Sequence, residues 1–447
     1  MRGVGNGPGS FCYWTITLSL CGFGCAGSDR APGREQIDEA IRQRTGAGLR
    51  PEGAGDEVPP GVLLSDGLTA EEAVATSLWN NPAFEASLAE LGLARADLAE
   101  ARLLKNPVLS LLFPLGPKQL EWTLSFAVDA LWQRPRRVEA FTLNAQSVGE
   151  RLVSQGLTLI ADVRRGYLDA VAAEERVALA TGNAELLKRI ADISDARLRA
   201  GDISELEARA ARSDRARAVA DLLAREHDRD AAKVALISLM GFDMPPGELR
   251  LTPAEETPSA SCGAPEALIA DALASRPDVR AAEISIEAAG ARASWERTRV
   301  FSLIASLDAN GEGREGFEMG PGIVADIPIF SRNQGGISRA DAELSRASRS
   351  YLAVRTQVAA EVRTASIRFD QAQRAARIWE DEIVPSLEIE VRQAERAYQA
   401  GEVALLSLLD ASRRLIDARG RRLESSVDLQ KAAVALERSV GHSCAGS

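Results

Sequence analysis

Aromatic residues make up only 5% of this 447-residue chain, and it carries just two histidines and five cysteines. His227 and His442 stand alone, so no His/Cys/carboxylate cluster of metal-ligand spacing can be assembled, and neither a metal nor a cofactor is expected. A nucleophile elbow, a phosphate loop and a dinucleotide fingerprint are all missing, which argues against an enzyme. There is no basic excess either. The 53 Lys and Arg residues face 64 Asp and Glu, a formal net charge of -11, and that balance argues against nucleic acid as a partner. Beyond residue 25 the chain has no uncharged apolar run of the roughly 18 to 20 residues that a spanning helix needs, so a polytopic helical membrane protein is excluded. What remains, 45% apolar and 26% charged residues, is ordinary for a folded protein.

The first residues read as an export address. Phe11 to Gly24 is apolar and uncharged behind a start that carries Arg2, and it ends in small residues before Cys25. Cys21-Gly22-Phe23-Gly24-Cys25-Ala26 resembles a lipoprotein cleavage box, which makes Cys25 the candidate lipid-attachment site; a plain cleaved signal and a chance apolar N-terminus are the other readings. One lipid would anchor the chain to a membrane surface without spanning it. Cys12 and Cys21 would leave with the signal, and Cys262 and Cys444 would remain as a disulfide pair or as two free thiols. From Ala26 to Asp66 the chain is rich in Gly, Pro and charge with little periodicity, which reads as a tether or an extended surface segment. Thr69-Ala70-Glu71-Glu72 is a capping box that opens the first helix.

The chain is written twice. At an offset of about 195 to 200 residues, Asn81-Pro82 faces Arg276-Pro277, Ala161-Asp162-Val163-Arg164 faces Ala360-Glu361-Val362-Arg363, Arg199-Ala200-Gly201-Asp202 faces Gln399-Ala400-Gly401-Glu402, and Gly241 faces Gly441. Correspondences kept in one order mark a tandem duplication.

Each unit contains one place where the apolar period switches to two. Leu120, Trp122, Leu124, Phe126 and Val128 alternate with Glu121, Thr123, Ser125, Ala127 and Asp129, after a less regular partner run from Val108 to Phe113. In the second unit Leu303, Ala305, Leu307 and Ala309 alternate with Ile304, Ser306, Asp308 and Asn310, and a return run carries Phe317, Met319, Ile323, Ala325, Ile327 and Ile329 on one side. Four strands of about 10 residues have the length and alternation of a membrane barrel, or of a small sheet packed on helices. Four strands cannot close around a lumen, so a barrel requires several chains to pool theirs.

The remainder is long helix. Runs from about Arg137 to Ala200 and from about Ser338 to Ala400 would each reach roughly 95 Å at 1.5 Å per residue, interrupted only by Pro385. Gly201 and Gly401 suit left-handed caps, after which the chain turns back into return helices ending at Gly241 and Gly441. Helices from Thr69 to about Lys105 and from Ala267 to about Arg299 are the candidates to cover what the return helices leave bare.

The tandem units, with Leu68-Thr69-Ala70-Glu71-Glu72-Ala73-Val74, Asn81-Pro82, Arg276-Pro277-Asp278-Val279-Arg280, Asp326-Ile327-Pro328-Ile329-Phe330, and Pro385 followed by Ala397-Tyr398 and Gly401, resemble the outer-membrane factor, or TolC-like, family of efflux and secretion channels. The resemblance implies a mainly α fold with β: a duplicated helix, β-hairpin, long helix, turn, helix unit. It implies a homotrimer in which four strands per chain form a 12-stranded outer-membrane β-barrel, continued by a periplasmic α-helical barrel. The implied activity is passive exit of substrates delivered by an inner-membrane pump, of the RND type, through a periplasmic adaptor, with metal cations or drugs as the substrate classes. The family's adaptor-docking tips correspond to Gly201, Asp202, Ser204, Gly401 and Glu402, and its acidic gate ring to Glu207 and Asp410, for which a solvated helix face is the alternative. A lipid-anchored periplasmic coiled-coil scaffold is the competing reading of the whole chain.

The expected boundaries are a signal over 1–24, a lipid-anchored tether over 25–66, a first repeat over 67–243 with hairpin at about 107–131 and tip at about 200–207, an equatorial linker over 244–266, a second repeat over 267–441 with hairpin at about 301–330 and tip at about 400–410, and a tail over 442–447.

Overall fold

A computed structural model describes residues 32–442 apart from 52, 54–57, 63–66, 114, 116–119, 244–248, 254–262, 312–316 and 401. All five cysteines, Cys25 among them, lie outside the described residues, as does Gly401. The first repeat runs α2 (Ala70–Asn80), α3 (Pro82–Arg102), β1 (Val108–Leu112), β2 (Leu120–Ala127), α4 (Asp129–Ala200) and α5 (Glu205–Leu239). The second runs α6 (Pro265–Ser275), α7 (Pro277–Thr298), β3 (Leu303–Gly311), β4 (Phe317–Ala325), α8 (Gln334–Arg377), a π-helical turn (Ile378–Ile383), α9 (Val384–Gln399) and α10 (Leu405–Val440). The same order appears twice, as a duplicated unit requires.

The expected single helices before the strands are each split in two. The residue before a proline is pushed out of the helical region, and Asn81 (φ −63°, ψ 112°) and Arg276 (φ −72°, ψ 130°) are extended ahead of Pro82 and Pro277. Both breaks dock under the end of a return helix. The Asn81 amide and the Ser77 hydroxyl donate to the Leu239 carbonyl at 3.0 and 2.8 Å. Ser275 donates to the Val440 carbonyl at 3.1 Å, and Arg276 to the Ser439 carbonyl at 3.0 Å. Gly241 (φ 85°) then turns the chain so close to Asn80 that a Cβ would stand 2.5 Å from its carbonyl oxygen, so only glycine fits.

Arg276 is buried and also meets Asp278 through two hydrogen bonds of 2.9 and 2.6 Å and Glu361 at 2.8 Å. Burial by itself would lower its pKa, but the bonds and charges of Asp278 and Glu361 outweigh that and raise it. In the first repeat the buried Tyr167 hydroxyl, 2.9 Å from the Leu68 carbonyl and 2.5 Å from that of Thr252, has one proton to share between them. It clamps the parallel bridge of Leu68 with Leu251, and burial pushes its pKa up to about 12.

Two further features differ from expectation. Within the segment read as a tether, Arg34–Thr45 forms a helix, α1, whose Ile37 and Ile41 enter the first repeat's core. Gly156 of α4 makes room for it, since a Cβ there would lie 2.7 Å from Ile41. The helix α4 starts at Asp129 and carries Pro135 inside it, which gives 72 residues and a length of about 108 Å. The second long helix is interrupted as expected at Pro385, whose missing N–H follows the π-helical turn.

The four strands form one antiparallel sheet in the order β1-β2-β3-β4, with the two repeats joined through β2 and β3. The strand β1 has five residues rather than about ten, and β4 ends at Ala325, leaving Ile327 and Ile329 beyond it. Truncating Arg276 to Ala should leave two carboxylates facing each other without their cation and cost about 2–4 kcal/mol. A lower unfolding temperature for Arg276→Ala than for Asp278→Asn checks this; equal melting of the two would contradict it.

Candidate functional site

Two features concentrate function-bearing chemistry: the tips of the two helical hairpins and the polar face of the sheet. At the first tip, α4 ends in Gly201 (φ 84°, ψ 10°). The Gly201 N–H donates to the Leu198 carbonyl at 3.1 Å and the Asp202 N–H to Arg197 at 2.9 Å, the paired bonds of a Schellman cap. At the second tip the Glu402 N–H donates to the Ala397 carbonyl at 2.9 Å, the equivalent bond 200 positions on.

The return helices start differently. Ser204 caps α5: its N–H and hydroxyl donate to the Glu207 carboxylate at 2.7 and 2.9 Å, and the Glu207 N–H donates back at 3.3 Å. These bonds hold the Glu207 carboxyl below the usual carboxylate range, the Ser204 backbone N–H contributing most and its hydroxyl next. Ala404 at the start of α10 has no side chain to offer. The fully exposed carboxylate of Glu207 is thus already engaged in its own helix start, while Asp410 meets Arg414 at 2.9 Å, a guanidinium it shares with Glu390 at 3.0 Å.

The hairpins meet near these tips. Leu409 of α10 packs into the α4–α5 seam with Leu187, Ile190 and Ala211. Arg413 pairs with Asp214, and the Arg197 guanidinium lies 5.4 Å from the Tyr398 ring centre. Sequence reasoning gave no role to Leu206 and Leu406, which are 78% and 70% exposed in the first turns of α5 and α10. The repeat offset of 200 would have singled them out.

In the sheet, residues directly opposite each other share a face, and the register keeps one face apolar across all four strands. Leu109 pairs with Leu124, Leu124 with Leu307, and Leu307 with Pro321; Leu111, Trp122, Ala309 and Met319 form the next such row. The opposite face carries the row Glu121, Asn310 and Glu318, and next to it Thr123, whose hydroxyl donates to Asp308 at 2.7 Å. No Lys or Arg occurs in the described strands. The alternation was legible in the sequence; the alignment of three carboxylates in adjacent rows is a product of register.

Comparison with known proteins draws these features together. Residues 268–442, the second repeat, match the profile of the family described as outer membrane efflux protein. The cobalt-zinc-cadmium resistance protein CzcC of Cupriavidus metallidurans is 27% identical over 384 residues, 84% of this chain and 90% of that protein. The pyoverdine export outer membrane protein OpmQ of Pseudomonas putida is 28% identical over 323 residues, 68% of this chain and 65% of that protein. Among solved structures, CusC, whose transmembrane channel formation has been described, superposes with a TM-score of 0.70 at 19% identity, covering 88% of this chain and 98% of its own. The profile on the second repeat, the CzcC alignment across both repeats and the fold shared with CusC make the chain similar to the outer membrane efflux proteins.

Proposed function

We propose that three copies of this chain pool their strands into a 12-stranded barrel in the outer membrane, and that their long helices continue it into the periplasm as a passive exit duct. The observation that carries this reading is the sheet: apolar along one face, bearing Glu121, Thr123, Asp308, Asn310 and Glu318 on the other, and open at both β1 and β4. Open edges are not tolerated in hydrocarbon, and four strands do not enclose a lumen. Pooling removes the edges and places the polar face inward. A lipid on Cys25 would add a surface anchor to the same membrane.

In this reading the tips dock a periplasmic adaptor, which connects the duct to an inner-membrane pump of the RND type. Gly201, Asp202, Ser204, Glu402 and the residue Gly401 form the docking surface, with Leu206 and Leu406 supplying its apolar contact. Three-fold repetition turns Glu207 and Asp410 into rings of carboxylates at the narrow end. The lowered Glu207 pKa keeps its ring charged: the cap bonds are fully formed above the ordinary carboxylate range and are lost only as pH falls through the lowered value.

Metal cations are the favoured substrate class. Glu121, Asp308 and Glu318 on the inward face, with no Lys or Arg among the described strand residues, set a negative potential along the exit. The metal-resistance relative CzcC agrees with this.

The test of the assembly is the native mass of the detergent-extracted protein together with its conductance in a planar bilayer. A trimer with steady, pump-independent conductance is expected; a monomer extractable without detergent would overturn the reading. Reversal potentials should show cations preferred over anions, and the double substitution Asp308→Asn with Glu318→Gln should reduce that preference roughly severalfold. Gly201→Val has room for its side chain, since nothing lies within 4 Å of a Cβ there, so its cost is the left-handed backbone alone, about 1–2 kcal/mol. That variant should assemble normally yet crosslink poorly to the adaptor in membranes, and undiminished crosslinking would rule out this tip as the docking surface.

A further inference from the structure

Below the sheet, the chain that leaves β4 carries large apolar side chains into the open. Ile327, Ile329 and Phe330 are 79%, 64% and 93% exposed. They are not presented by a slack loop. The Ile329 N–H donates to the Ile327 carbonyl at 2.8 Å, Arg332 Nε to the Pro328 carbonyl at 3.3 Å, and the Gln334 amide to the Phe330 carbonyl at 3.1 Å. Asn333, with a positive φ of 58°, anchors the far end by donating to both the backbone and the side chain of Glu296 at 2.8 Å. A backbone tied down this thoroughly, with Asn333 in the left-handed region that asparagine tolerates better than most residues, holds three apolar side chains outward.

The foot of β1 is built the same way. Leu103 and Leu104 are 65% and 42% exposed. Arg134 donates to the Arg102 carbonyl at 2.6 Å, and Arg137 to those of Ala101 and Leu103 at 2.9 and 2.6 Å, so the backbone that presents the two leucines is pinned to α4. β1 and β4 are the two open edges of the sheet, and these are the segments at their feet.

We infer that Ile327, Ile329 and Phe330 of one copy pack against Leu103 and Leu104 of the next, an apolar clasp that closes the ring of copies beneath the barrel. The inference rests on the pooled barrel proposed above. In such a ring β4 of one copy lies beside β1 of its neighbour, antiparallel like every other pair in the sheet. β1 ascends from its foot and β4 descends to its own, so the two feet come side by side. Hydrocarbon is the poorer occupant, because the charged Asp326 and Arg332 flank the three apolar residues and lipid tails offer them no partner. Two pre-ordered apolar surfaces lose little conformational freedom on meeting, which favours their association.

The test uses the full chain with Cys262 and Cys444 replaced by Ser and Cys25 retained. Copies carrying only Leu104→Cys and copies carrying only Phe330→Cys, differently tagged, are co-expressed and treated in membranes with a short bis-maleimide. A crosslinked product bearing both tags is expected. A native trimer that gives no such product would overturn the clasp while leaving the pooled barrel intact. Failure of the parent chain to form a trimer at all would overturn both. In parallel, Phe330→Asp should weaken trimer association about tenfold or more, whereas Phe330→Leu should retain it. Equal trimer stability in the two variants would mean that Phe330 faces lipid or water instead.

Discussion

The last carbonyls of a helix have no partner inside it, and something outside must satisfy them. In this chain that need sets the geometry of both repeats. Leu239 at the end of α5 is met by Asn81 and Ser77, and the end of α10 is met by Ser275 and Arg276, each time from an X-Pro break between two shorter helices. The proline fixes where the break falls, the side chain before it reaches across, and a glycine turns the returning chain away at close range. Because the break also aims α3 and α7 toward the strands, one capping interaction relates the sheet end of each repeat to its long hairpin.

The same junction is made from different chemistry in the two copies. Asn81 is neutral and also caps α3 through the Phe84 N–H at 3.0 Å. Arg276 instead brings a buried charge and recruits Asp278 and Glu361 to neutralise it, which ties α7, α8 and α10 together. A buried ion pair adds little net stability over an apolar substitute but penalises any arrangement that separates its members. The second repeat is thereby held to one arrangement more strictly at this point than the first. The tips differ in the same spirit, with a full capping box at Ser204 and none at Ala404.

Much of this was legible in sequence because duplication and periodicity are both long-range signals. The repeat offset marked the X-Pro breaks and the glycine where α4 ends, and the period-two alternation marked the strands and their two faces. What escaped were features that depend on few residues or on contact across the chain. Helix α1 escaped because only Ile37 and Ile41 mark its buried face, amid charge and glycine. The split at Pro82 and Pro277 was underestimated because a proline at the first position of a helix does not disturb the pattern that follows it. Leu206 and Leu406 escaped because exposure, which the sequence does not print, is what sets them apart from other leucines.

The π-helical turn between α8 and α9 has a mechanical meaning of its own. A π closure spans one residue more than an α turn. The apolar seam of α8 steps through Val358, Val362, Ala365, Phe369 and Ala376, and that of α9 resumes with Val384, Leu387 and Val391 against Leu415 and Ala418. In an unbroken α-helix one surplus residue would rotate everything beyond it by about 100°. Taken up in the Ile378–Ile383 turn, the surplus leaves both seams facing α10. At this one point the helix separates its count of residues from its angular phase, so a tip far down the chain keeps its orientation without the whole rod being re-indexed.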